Sequence, residues 1–315
     1  MNENKTNMSS YESIILAIIM SIYIAFSIYY FPPLLMITPV PFIIYGIKTD
    51  LKSALLSLVA TLLTIGIIFE PLSSLLLFLV YGPFIAMNIY LIHKRYKAIK
   101  VVLYSASILF VSITLLFGLL KIGGYDLVSQ LEENFSQTLS VQMDMLKEMG
   151  FTSYELLETR DSLRSNFETV LMIFPSVIFI SIYIGSYINY LLTTFGLRKT
   201  GISILNLPSF SRFRLPDNFT TGSLIMILTG FFMRWMNISY ADSIYVNIMI
   251  LLGVTLFIQG FSVIHYFLLK IKTKKFLRVL TYIILIFSPH IFSGISILGG
   301  VDVIFDLRKF KRAKS

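Results

Sequence analysis

Apolar runs of roughly 20 residues follow one another along most of this chain, and they leave few folds open. They lie at 11–31, 34–47, 51–69, 71–92, 100–121, 167–195, 217–236, 243–269 and 276–306. A helix of about 20 residues crosses the roughly 30 Å hydrocarbon core of a bilayer with its backbone polar groups bonded inside the segment. A spanning barrel would need alternating strands of about ten residues, and these runs are too long and too continuously apolar for that. The expected fold is all-α, a polytopic transmembrane helix bundle. Composition agrees: charged residues are 14% of 315 positions, against about 25% in a soluble domain.

Charge orients the bundle. The formal net charge is +9, and its location gives it meaning. We place residues 48–52, 93–100, 196–214 and 270–275 on the cytoplasmic side, together with both termini. Of the 26 Lys and Arg, only Lys121, Lys147, Arg160, Arg164 and Arg234 then fall outside. The basic excess thus follows the positive-inside rule and implies no nucleic-acid partner. The first run is longer than a signal-peptide core and has no small-x-small site after it, so it reads as a retained helix.

This orientation requires residues 276–306 to cross an even number of times. One straight helix of that length would run about 46 Å, and Pro289 in "SPH" (288–290) disfavours continuation. A hairpin of two short spans is expected, giving about ten spans; the alternative is one kinked helix with the tail outside. The second run is also short. Pro32, Pro33, Pro39 and Pro41 leave it about 14 residues, or roughly 21 Å. Short Pro-interrupted segments are the sequence mark of a transporter binding site, although prolines also shape interfacial turns.

Three regions follow: an N-terminal bundle at 1–121, an extracytoplasmic segment at 122–166, and a C-terminal bundle at 167–315. The middle segment carries Asp126, Glu132, Glu133, Asp144, Glu148, Glu155, Glu158 and Asp161 against Lys147, Arg160 and Arg164. Leu127, Leu131, Phe135, Leu139, Met143 and Leu146 recur at one-face helical spacing. After Gly150, "TSYE" (152–155) reads as a capping box. An acidic helical hairpin is predicted, its second arm running into the sixth span.

Enzyme chemistry finds little support. HExxH, G-x-x-x-x-G-K, G-x-G-x-x-G and G-x-S-x-G are absent. Without cysteine there is no disulfide or thiolate zinc site, and His93, His265 and His290 form no i, i+4 pair. No catalytic residue, metal or cofactor is expected. Asp302 and Asp306 are one turn apart on one helix, whereas a membrane aspartyl protease draws its acids from two helices. Asp306, Arg308 and Lys309 read as a cytoplasmic anchor. Asp302 sits deeper, where an acid costs about 2.5–3.5 kcal/mol on insertion scales and calls for a partner or a role. Asn88, Asn189, Asn247, Gln259 and Asp302 are the ligand-lining candidates; interhelical hydrogen bonding is the alternative. Ala17, Ser21 and Ala25 form a small-residue stripe on which a partner helix, or a helix of this chain, could pack closely.

"LPDNFTTGSLIMILTG", "NIMILLGVTLFIQGFSVIHYFL" and "GGVDVIFDLRKF" resemble the bacterial YybS-like membrane proteins, a family of unknown function. Asn247, Gln259, Gly260, Asp302, Asp306 and Arg308 lie within these motifs. The N-terminal spans are also similar to the substrate-binding subunits of energy-coupling-factor transporters, which dock through an Ala-x-x-x-Ala stripe in their first helix. Ala17, Ser21 and Ala25 occupy that place, with serine in the middle. These resemblances imply a multi-pass protein of the bacterial inner membrane that binds or transports a small molecule, with transmembrane and ATPase subunits as energising partners. The chain departs from those subunits in having about ten spans rather than six and in inserting an acidic external hairpin. The alternative is a non-transporting scaffold or regulator working through the acidic hairpin or the basic cytoplasmic loops.

Overall fold

The computed structural model describes the backbone of residues 2–309 and the side chains of 11–285, 287–288 and 291–309. The basic tail at 310–315 and the His290 side chain lie outside the described residues. Eleven α-helices and two short 3-10 turns make up the described fold: α1 (Asn2–Tyr30), α2 (Pro39–Lys48), α3 (Leu51–Ile68), α4 (Pro71–His93), α5 (Ala98–Ile122), α6 (Leu127–Glu148), α7 (Ser153–Lys199), α8 (Phe219–Trp235), α9 (Ala241–Lys270), α10 (Lys275–Phe287) and α11 (Pro289–Phe305). Six of them contain stretches long and apolar enough to cross a membrane: Tyr11–Tyr30, Leu51–Ile68, Pro71–His93, Ala98–Ile122, Ser153–Lys199 and Ala241–Lys270. Pro32–Lys48 and Ile291–Phe305 are shorter apolar segments.

Local chemistry explains the boundaries. Asp50 accepts from Ser53 N at 2.7 Å and starts α3; Pro71 and Pro289 occupy first helical turns, where a missing N–H costs nothing. The capping box before α7 is present in full, with Thr152 Oγ1 bonded by Glu155 N and Glu155 Oε2 by Thr152 N. The Thr152 N–H and hydroxyl, both donating to Glu155 Oε2, hold that carboxyl below its ordinary pKa, as the Ser129 and Val128 N–H groups hold Asp126 at the start of α6. α7 then continues for 47 residues, about 70 Å. Its first turns carry Glu155, Glu158, Asp161 and Glu168, so the acidic arm and the following apolar span are one helix. The expected break before α11 is equally clear: Ser288, at φ −104° and ψ 97°, separates α10 from α11.

The chain divides into two compact units, Met1–Arg160 with Ser181–Leu207, and Asp161–Ile180 with Pro208–Ser315. Phe42, Ile43, Leu58, Phe84, Ile85, Ile89 and Val101 form the core of the first, where α2, α3, α4 and α5 meet. In the second, α9 and α11 cross at contact distance. A Cβ on Gly260 would lie 2.0 Å from Ile295 O, and one on Gly299 would lie 1.9 Å from Leu256 O. Ser296 Oγ adds a hydrogen bond to Gly253 O at 3.1 Å. Small residues let the backbones meet, which is how helices associate in lipid without a hydrophobic driving force.

Candidate functional site

Two polar constellations stand out, one in each unit. The first sits at the proline-rich second segment. Pro32 and Pro33 open a 3-10 turn, Pro32–Ile37, and α2 begins at Pro39 after the fully buried Thr38. Pro39 and Pro41 have no N–H to give to Leu35 O and Ile37 O, so a regular ladder cannot form here. Side chains of other helices take over. Tyr23 OH donates to Leu34 O at 2.6 Å, Tyr81 OH to Leu35 O at 2.8 Å, and Asn189 Nδ2 to Met36 O at 2.8 Å. Exposed carbonyls in hydrocarbon cost several kcal/mol each, which explains why three side chains converge on three successive ones.

The same place holds polar atoms with nothing to bond. Thr38 Oγ1, Asn189 Oδ1 and Thr193 Oγ1 are buried and have no hydrogen-bond partner among the described residues. Asn189 and Thr193 are one turn apart on one face of α7. Contacts fix the register along the second segment: a Cβ on Gly185 would touch Met36, and one on Gly196 would touch Ile44. All three oxygens are uncharged, and each can accept from a polar solute.

The second constellation is charged. Asp302 Oδ2 receives Gln259 Nε2 at 2.6 Å and Arg308 Nη2 at 2.9 Å, with both ion-pair side chains almost wholly buried. Arg308 also donates to Ser211 O, Phe213 O and Ser262 Oγ at 2.8–2.9 Å. Gln259 Oε1 accepts from Leu215 N, and Ser262 Oγ donates to Phe210 O. The network therefore ties the end of α11, the middle of α9 and the backbone of 210–215 together. An aromatic row of Phe257, Phe261, Phe210, His265 and Tyr282 runs alongside.

The backbone at the end of α11 decides where Arg308 points. Asp306 takes a left-handed conformation (φ 49°), closes α11 by donating its N–H to Asp302 O, and reverses the chain. The reversal turns the guanidinium inward onto Asp302, while Lys309 stays exposed. Sequence spacing carries no information about this αL reversal.

The five lining candidates divide between the two units. Asn88 and Asn189 belong to the first unit, Asn247, Gln259 and Asp302 to the second. Asn88 Nδ2 bonds Phe84 O of its own helix. Asn247 serves the α7 backbone beside another proline: it donates to Met172 O at 2.7 Å and accepts from Ser176 N at 2.8 Å, the acceptor and donor of one helical step next to Pro175. Asn247→Ala should cost about 2–3 kcal/mol, through two unmet backbone groups, and Asn247→Gln should not restore it. Thermal unfolding of the purified variants reads this, and an unchanged midpoint in Asn247→Ala would sink the assignment. In the stripe, Ala17 and Ser21 are buried against α3, with Ser21 Oγ on Ala17 O and 3.3 Å from Thr61 O. Ser21 and Ala25 also floor an apolar groove of about 440 Å³ walled by Ile22, Phe26, Tyr29 and Ile68. Tyr23, Tyr81 and Ser262 escaped sequence reading, since a hydroxyl inside an apolar run looks the same whether it is bonded or idle.

A family described as "Predicted membrane protein (DUF2232)" matches residues 14–303. The chain belongs to that family. Within its relatives, the DUF2232 chain is 25% identical over 277 residues to "Uncharacterized protein YybS" of Bacillus subtilis (strain 168), covering 87% of this chain and 88% of that one. No solved structure matches. Both constellations of this DUF2232 protein fall on the matched residues except Arg308, which lies just beyond them.

Proposed function

We propose that this DUF2232 protein is a multi-pass inner-membrane protein whose N-terminal unit binds a small polar solute for transport. The observation that carries the reading is the proline break at 32–41, with buried, unpartnered oxygens of Thr38, Asn189 and Thr193 beside it. Broken segments with freed polar groups are where membrane transporters hold their cargo. The unit also contains six apolar segments, α1, Pro32–Lys48, α3, α4, α5 and the second half of α7, the number that its resemblance to energy-coupling-factor binding subunits implies. On this reading both termini are cytoplasmic, the C-terminal unit brings the crossings to about ten, and energising subunits dock in the groove floored by Ser21 and Ala25. Asn88 and Asn247 have no part in binding.

Mass spectrometry of solutes released from the detergent-purified chain tests the proposal. A polar compound should leave the wild-type protein and fall at least about ten-fold in Asn189→Leu, which removes a buried acceptor. Equal recovery from both, or none from either, argues against it. A second reading would then lead. The first 16 residues of α7, about 24 Å of acidic helix ahead of the apolar span, suit a scaffold that meets partners outside the membrane.

A further inference from the structure

A separate cavity of about 290 Å³ opens in the N-terminal unit, near the lower end of the range for small-ligand pockets. Its polar side chains are His93, Arg95, Tyr96, Tyr190 and Ser203, and Ile92, Ile202 and Ile204 are among its apolar ones. No acid lines it. The segments that form it also carry Lys48, Lys94, Lys97, Arg198 and Lys199, so the surrounding field is strongly positive.

The geometry of Arg95 is unusual for its chemistry. Arg95 ends α4 in the left-handed region, at φ 53°, where glycine is the ordinary choice. Around it the closing turn is fully bonded: Lys94 N to Tyr90 O, Arg95 N to Ile92 O and Tyr96 N to Leu91 O, at 2.9–3.1 Å. Those bonds satisfy the α4 carbonyls, which would otherwise repel an anion. Among the described residues Arg95 makes no ion pair. The opposite wall, 202–205, is pinned by the Tyr190 hydroxyl, which donates to Leu205 O. His93 Nδ1 sits 3.0 Å from Ile89 O, so that ring has a fixed orientation.

We infer that this pocket binds a phosphate anion, and that its apolar walls suit it to the headgroup of an anionic phospholipid. A guanidinium among the lining of an acid-free cleft can meet a phosphate by paired N–H donors, and the Tyr96 and Ser203 hydroxyls can donate as well. Basic pockets on the cytoplasmic side of membrane bundles take lipid headgroups by this chemistry. The inference does not rest on the solute-binding reading, because the two sites share no residue.

Arg95→Gly is the informative variant, since glycine suits the left-handed backbone and removes only the side chain. The full chain, purified in detergent, is titrated with dioctanoyl phosphatidylglycerol, dioctanoyl phosphatidylcholine and inorganic phosphate, with heat release as the readout. Phosphatidylglycerol should bind saturably, phosphatidylcholine at least about ten-fold more weakly, and Arg95→Gly should lose about ten-fold for phosphatidylglycerol, with partial recovery in Arg95→Lys. Inorganic phosphate binding as tightly as the lipid, with the same loss in Arg95→Gly, assigns the phosphate site to a soluble anion. Equal phosphatidylglycerol binding by wild type and a folded Arg95→Gly overturns the proposal, as does an absence of saturation with all three probes.

Discussion

Arg308→Ala is expected to destabilise the protein by about 3–5 kcal/mol, because it leaves the Asp302 carboxylate buried without its counter-ion. Asp302 and Arg308 are each only 4% exposed. The loss extends beyond the pair. Ser211 O and Phe213 O lose their guanidinium donors, and the 209–215 segment loses a principal tie to α9 and α11. Trypsin should therefore cut after Arg212 or Arg214 sooner in the variant than in wild type, as well as the unfolding midpoint falling. Asp302→Leu combined with Arg308→Met should be milder than Arg308→Ala alone, since removing both charges removes the desolvation cost that their attraction offsets. If Arg308→Ala melts with wild type and resists trypsin equally, the inward ion pair is wrong.

Gly260→Ala and Gly299→Ala should each cost about 3 kcal/mol or more, the upper end of overpacking penalties. The reason is geometric. The new methyl would stand 2.0 Å from Ile295 O in one case and 1.9 Å from Leu256 O in the other, where real Cβ contacts essentially never fall under 3.0 Å. Those neighbours are backbone atoms, so relief requires the two helices to separate. Separation also disturbs the charged network: Gln259 adjoins Gly260, and Asp302 follows Gly299 by three residues. Because both methyls act on one crossing, the double substitution should cost less than the sum. Gly300→Ala is the control. Nothing lies within 4 Å of its Cβ position, and alanine's helix propensity should leave stability unchanged or raised by up to about 1 kcal/mol. Unfolding of all three in one detergent decides the matter; Gly299→Ala matching Gly300→Ala would mean the helices do not touch there.

Much of the fold was legible because membrane burial writes itself into long apolar runs. The break at Ser288, the capping box at Thr152 and the passage of the acidic arm into a span follow from local backbone rules, which act within a few residues. Asn189 and Asn247 could be picked out as costly polar residues in hydrocarbon. What each does could not, because the carbonyls they serve, Met36 O and Met172 O, lie 153 and 75 residues away in sequence. Prolines marked the broken backbone and asparagines marked the unpaired polar groups, but only their meeting joins the two facts.

Arg308 shows the limit most plainly. Composition and charge placement determined, without any coordinates, a helical membrane protein whose basic residues gather in a few loops between apolar runs, since hydrophobic thickness and charge asymmetry act on segments regardless of their neighbours. Whether a given charge faces water or the interior is a different kind of question. It depended on a single left-handed residue, Asp306, and on two glycines that let α9 and α11 approach closely enough for Gln259 to reach Asp302. Tertiary structure alone decided that, because the energy of a buried charge is set by what surrounds it.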